Sequence, residues 1–251
     1  MKLQFKVNPY YLLIHSLGKA WGDKPFPLWA KLANMAKSNP SFIFKNSDEV
    51  FTRVNNDKQL RHVFQKTQNI LSTLLKTHEF KRLLQETERY CIWTEKEWNK
   101  NKDQALRILE DITGIQFPDT TVTVIVTHPQ FSNGSNIPRE KVILWGHPEE
   151  WKNYTIVYLC HELLHLLVHK KYSNEEVMHS IIELATDNEL RIRLNKKGIY
   201  FQEGKMEVGH LALRDFEKRL FRFWKQYLRG SFKAKNIFDF EKEVMRKLTL
   251  K

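Results

Sequence analysis

The stretch VYLCHELLHLLVHKK, Val157 to Lys171, sets His161, Glu162, His165 and His169 into a run that is otherwise almost wholly apolar. On a helix, residues four apart share a face, so His161 and His165 turn two imidazoles toward one point with Glu162 beside them. This HExxH spacing matches one chemistry closely. Two neutral imidazoles hold Zn2+ at about 2.0–2.1 Å, and the neighbouring carboxylate reaches the water on the metal as general base without ligating the ion itself. Uncompensated polar groups in apolar surroundings would cost about 1–3 kcal/mol each, and a metal removes that cost. A buried helix whose histidines find ordinary hydrogen bonds explains one such histidine more easily than two at this spacing.

A catalytic zinc takes a third protein ligand and keeps one position for water. His169 lies on the same face but eight residues from His161, a rise of about 12 Å, too far for one ion. The extended pattern HExxHxxGxxH fails as well, because Val168 and Lys171 stand where it needs glycine and histidine. The segment ELATD supplies a better candidate: Glu183 and Asp187 are four apart, on a helix that a short connection folds back against the first. Glu183 then provides the third ligand, and Asp187 accepts the free ring N–H of His161 and fixes its tautomer.

HExxH on one helix followed by Glu-x-x-x-Asp on the next resembles the gluzincin group of zinc metallopeptidases, the thermolysin-like clan, over about residues 154–190. The resemblance implies that His161, His165 and Glu183 bind zinc, that Glu162 is the catalytic acid and base, and that Asp187 supports a ligand. It also implies a residue downstream that stabilises an oxyanion, for which His210 in EVGHLAL and Tyr200 in GIYFQ are the nominees. The expected function is zinc-dependent hydrolysis of a peptide or protein substrate by a zinc-activated water, with Glu162 taking the proton. The alternative from another class is a non-catalytic, zinc-containing regulatory or binding module that contacts nucleic acid through basic C-terminal helices. Tyr158 and Cys160 read as packing residues.

The elements that must position these groups are mainly helical. Apolar periodicity predicts helices over Tyr10–Leu17, Pro27–Lys37, Lys58–Thr77 and Phe80–Ile112. The β-branched run Thr121–Thr127 and the segment Lys141–Gly146 predict two strands joined as a hairpin across the turn-rich HPQFSNGSNIPRE. Pro148, Glu149 and Glu150 suit the start of the HExxH helix, Ser173 and Asn174 that of the next, which runs to about Asn195. Helices over Val208–Leu228 and Ile237–Leu248 complete the chain. The fold class is therefore α+β and predominantly helical, with a zincin-like core in which a small antiparallel hairpin packs on the HExxH helix. Its regions are 1–116 (helical), 117–196 (metal-binding core) and 197–251 (basic and helical), forming one compact unit. A strand at Lys141–Gly146 on the edge of such a sheet would pair with an extended peptide.

Charge and cysteine usage narrow the classes further. The formal charge is +12, yet Val126–Leu190 holds 5 Lys/Arg against 9 Asp/Glu, whereas Arg191–Lys251 holds 17 against 7. The basic tail suits phosphate contacts, although basic residues on the wet side of amphipathic helices are common without a partner. Two distant cysteines, Cys91 and Cys160, argue against a disulfide framework and for a reducing compartment. The apolar piece at Tyr10–Leu17 is too short and uncleavable for a secretory signal, and no window reaches a membrane span. The expectation is a cytoplasmic protein.

Overall fold

The computed structural model describes residues 1–20, 69 and 71–248. The expected helix at Pro27–Lys37 lies outside these residues, as does most of the stretch expected at Lys58–Thr77. The described chain is α+β and mostly helical, as its periodicity predicts, and forms two compact units. One comprises Met1–Lys2, Lys96–Thr121 and the chain from Glu149 onward; the other comprises the described residues of Leu3–Glu95 together with Val122–Pro148.

In the second of these units, strand β1 (Lys2–Lys6) leads into helix α1 (Pro9–Ala20). Pro9 needs no hydrogen bond at a first helical position, and the Asn8 side chain caps the helix by accepting from the backbone N–H groups of Tyr10 and Tyr11, each at 3.0 Å. Strands β2 (Thr121–Val126), β3 (Asn133–Ile137) and β4 (Val142–Gly146) complete a four-stranded sheet in the order β1-β2-β4-β3. Tyr11, Ile125, Val142 and Leu144 form its apolar core, with Ile137 packed against them. Helix α2 (His78–Thr113) enters this unit through its first half, where the Tyr90 hydroxyl donates to the His147 carbonyl at 2.7 Å and accepts from the Trp145 indole at 3.0 Å.

The sheet departs from the expected hairpin. β2 pairs with β4 in parallel, from Thr123 opposite Val142 to Val126 opposite Trp145. β3, cut from the segment read as a loop, pairs antiparallel with β4, from Asn133 opposite Gly146 to Ile137 opposite Val142. NGSNI has little strand propensity of its own, so pairing with an already apolar, fully buried β4 decides its conformation. With β2 on one side and β3 on the other, β4 offers no free edge, and the expected pairing of a peptide there is not met.

The other unit carries the HExxH helix, α3 (Tyr154–Val168). It begins later than Pro148 suggests, and Glu149 acts from outside it: Oε2 accepts from the Thr155 N–H at 3.1 Å and from its hydroxyl at 2.7 Å. Helix α4 (Glu175–Glu183) continues through a π-helical stretch, Leu184–Leu190, into α5 (Arg191–Asn195). Asn195 ties this helical run back to the start of α3, donating to the Lys152 carbonyl at 3.0 Å and accepting from Asn153 at 2.8 Å. Val157, Leu159, Cys160, Leu163 and Leu164 of α3, and Ile181, Ile182, Leu184 and Ala185 of the second run, are fully buried. A short hairpin, β5 (Gln202–Glu203) with β6 (Met206–Glu207), then leads to α6 (Arg214–Leu228) and α7 (Ile237–Lys247), and both helices pack on α4. Cys91 and Cys160 are both free and buried. Among the described residues no helix is long and apolar enough to cross a membrane.

One buried carboxylate fixes where α4 starts. Asn174 caps the helix by accepting from the Val177 N–H, while Glu241 of α7 accepts from the N–H groups of Ser173 and Asn174, both at 2.8 Å. Two charge-assisted bonds to otherwise unsatisfied donors, with Glu241 only 1% exposed, make this contact expensive to remove. Glu241→Ala is expected to lower the unfolding free energy by about 2–4 kcal/mol in urea titration, and Glu241→Gln, which keeps an accepting oxygen, by less. Equal and small losses in both variants would show that the cap carries no such weight.

Candidate metal centre

α3 and the α4–π run lie against each other, and the polar residues of both meet where the surroundings are otherwise apolar. His161, 2% exposed, has its Nδ1 at 2.8 Å from Oδ2 of Asp187, which is wholly buried. The Thr186 hydroxyl supports the same carboxylate, donating to Oδ2 at 3.1 Å. A carboxylate can only accept, so Nδ1 of His161 carries a hydrogen and Nε2 is the nitrogen left to ligate a metal. That Nε2 stands 3.1 Å from Nε2 of His165. Two nitrogens each about 2.0–2.1 Å from one tetrahedral ion would lie roughly 3.3 Å apart, so the pair is spaced for a shared cation.

The second helix brings Glu183, wholly buried, to the same place. Ligand atoms of His161, His179, Glu183 and His210 all lie within 4.8 Å of one another. His210 approaches from the loop after β6: its Nδ1 hydrogen-bonds Oε1 of Glu183, and its backbone N–H donates to the same oxygen at 3.3 Å. Gly209 makes this approach possible. It has φ +81, and a Cβ there would collide with Oε2 of Glu183. Arg214 holds the loop from behind, donating to the Val208 carbonyl and to Glu217, with its guanidinium 4.8 Å over the Phe201 ring.

Three buried atoms at the centre have no hydrogen-bond partner: Nε2 of His179, Oε2 of Glu183 and Oδ1 of Asp187. Leaving such groups unmade costs about 1–3 kcal/mol apiece, a cost a divalent cation among them would offset. The donor set is imidazole nitrogen with carboxylate oxygen, which suits zinc and its first-row neighbours. The residues therefore fit a metal ion.

Electrostatics point the same way. Burial works against a charged His161, yet the Asp187 carboxylate, aided by Glu183 and Glu162, carries the ring up to about 10. His165 is driven down to about 2 by burial and by repulsion from His161 and His179, so its ring is neutral and ready to ligate. Burial also opposes ionisation of Glu183, but the nearby His179 ring, the hydrogen bond from His210 and the charge on His161 hold its carboxyl far below the usual range. Burial and the Glu183 charge push Asp187 up to about 6. A divalent cation would displace the proton on Nε2 of His161, while the Nδ1 hydrogen stays on its bond to Asp187.

The structure thus gathers His161, Glu162, His165, Glu183, Asp187 and His210. Tyr200 lies elsewhere, its hydroxyl bonded to Glu189 and its ring against Phe221 at 4.7 Å. His210 sits on a loop preceding a short 3-10 turn, outside the helix expected from Val208. The sequence reading missed His179. Its signal was present, since HSIIE repeats on the second helix the four-residue spacing of HELLH, but the surrounding apolar residues made it read as one more position on a packed helix. His169 leaves α3 at its C-terminal end, as its distance from His161 requires. No protein-family model, no curated protein and no solved structure matches the chain.

Glu217 extends the buried charge behind the loop. Burial first, then the charges of Glu183 and Asp187, push its carboxyl up to about 8 against the pull of Arg214. A carboxyl raised on folding contributes stability that is complete below its unfolded value, about 4.3, and is lost as pH rises through the folded one. In metal-free protein, the stability of wild type relative to Glu217→Gln is therefore expected to fall by more than about 1 kcal/mol between pH 5 and pH 8 in urea titrations. A difference independent of pH would contradict the raised value.

Proposed function

We propose that the chain is a zinc-dependent metallopeptidase of the gluzincin type. The observation that supports this most is the pairing of His161 Nε2 with His165 Nε2 at 3.1 Å while Asp187 fixes the far side of His161 and a ligand atom of Glu183 lies within 4.8 Å of one of His161. His161, His165 and Glu183 would hold the ion. A bound zinc supplies Lewis-acid chemistry, acidifying water and polarising a peptide carbonyl.

Everything else falls to the protein's own groups. Glu162, 8% exposed and next to His161 in the chain, takes a proton from the attacking water and delivers it to the departing amine as the carbon–nitrogen bond breaks. Asp187 and Thr186 keep His161 in one tautomer and one orientation. The apolar faces of α3 and α4 exclude bulk water from one side, which strengthens each of these interactions. His210, with its side chain 56% exposed, marks the side from which substrate arrives.

Glu162→Gln is expected to keep stoichiometric zinc and lose cleavage of a peptide library by about 10²–10⁴-fold, read by mass spectrometry of the products. Wild-type protein that holds zinc and cleaves nothing would overturn the peptidase reading.

One observation favours a second reading. Lys218, Arg219 and Arg222 are exposed on α6, as are Lys242, Arg246 and Lys247 on α7, so both helices offer basic side chains to solvent. A zinc-containing module that docks nucleic acid would use them. Under that reading, oligonucleotide binding would weaken steeply with salt, and charge reversal at Arg219, Arg222 and Lys225 would reduce the log–log slope by roughly 2 to 3. Binding insensitive to both salt and these reversals would remove it.

A further inference from the structure

We propose that His179 is a fourth protein ligand of the metal and that His210 is the ligand that gives way to substrate. The proposal rests on the metal-binding reading above. Two observations carry it, one for each histidine.

His179 lies one helical turn before Glu183, so its ring projects from the face of α4 that meets α3. The ring packs edge-on to His165 at 4.6 Å and to His161 at 5.7 Å between centroids. Its Nε2 is buried and has no hydrogen-bond partner, and the nearby Glu183 oxygen at 3.6 Å is beyond hydrogen-bond range. An imidazole nitrogen aimed into a cluster of donors, with nothing to bond there, is a ligand in waiting. It gives α4 the same two-ligand spacing that α3 has: His161 with His165, His179 with Glu183.

His210 differs in every respect that governs exchange. It is the one exposed member of the group, it rides on a loop rather than a helix, and Gly209 before it holds φ +81, which glycine adopts without strain. Its Nδ1 and its backbone N–H are both held by one oxygen of Glu183, so a rotation at Gly209 releases the two contacts together. Four buried or half-buried donors then remain on the ion while the fifth position passes from His210 to water or to a substrate carbonyl. Five-coordinate zinc is accessible in catalytic sites, so a fourth protein ligand does not close this one.

The test uses full-length protein stripped with a chelator and titrated with Zn2+ against a chromophoric competitor, then with Co2+, whose visible bands are weak in five-coordinate and intense in four-coordinate sites. His179→Ala is expected to lower zinc affinity by more than about tenfold, the scale that even a residue supporting a ligand commands, and to intensify the cobalt bands. His210→Ala is expected to change zinc affinity by less than about tenfold and to leave the cobalt intensity in the five-coordinate range, with water replacing the ring. Circular dichroism establishes that each variant is folded, and His179→Gln is read the same way if the alanine variant is not. Wild type that takes up neither metal would overturn the metal reading itself. Wild type that binds while His179→Ala binds equally, with unchanged cobalt bands, would overturn the ligand assignment. A loss in His210→Ala as large as in His161→Ala would overturn its role as the yielding ligand.

Discussion

The bond between Asp187 and His161 is the constraint on which the centre depends. A carboxylate with no exposure, 2.8 Å from the ring, decides which nitrogen carries hydrogen and therefore which nitrogen faces His165. Remove it and the ring is free to flip or to protonate on the wrong side, and the two imidazoles no longer converge. The bond in turn demands that two helices from different parts of the chain meet in one register, so much of the first unit reads as the means of holding that register. Asn195 ties the end of the second helical run to the start of α3, Glu241 pins the start of α4, and α6 and α7 cover α4.

The cost of this arrangement is visible in the same residues. Asp187, Glu183, Glu217 and Arg191 are all buried, and each is costly unless paired. Arg191 answers part of it, donating to the Asp187 carbonyl at 2.7 Å and pairing with Glu203, which also fastens the β5 segment to the π-helical stretch. π-helical turns are frequent at functional sites, and here the stretch contains Asp187 itself. Unsatisfied buried atoms occur elsewhere in this unit, on Trp224 and Glu241 for example, but those of His179, Glu183 and Asp187 fall together at the centre.

Much of the centre was legible in the sequence because helical spacing alone puts His161 beside His165 and Glu183 beside Asp187. What the spacing could not show was how the loop after β6 closes on Glu183, since the His210–Glu183 contact joins residues 27 apart and depends on the close approach of Gly209 and on the hold of Arg214 on Val208. His179 was hidden for a different reason: its four-residue spacing from Glu183 was there to read, but on an apolar helix face that spacing does not separate ligand from filler until the neighbours are in place. In the sheet, the apolar runs of β2 and β4 announced themselves, but β3 did not. NGSNI has the composition of a turn, and only pairing along the full length of β4 makes it a strand, which also converts the expected antiparallel neighbours β2 and β4 into a parallel pair.

The central claim is that these side chains converge on one ion. Anomalous diffraction at the zinc absorption edge from a zinc-soaked crystal addresses it most directly. The account requires one strong peak within about 2.0–2.2 Å of Nε2 of His161, Nε2 of His165 and an oxygen of Glu183. A crystal that shows no peak there, or a peak bound by other residues with His161 and His165 hydrogen-bonded to each other, would contradict it.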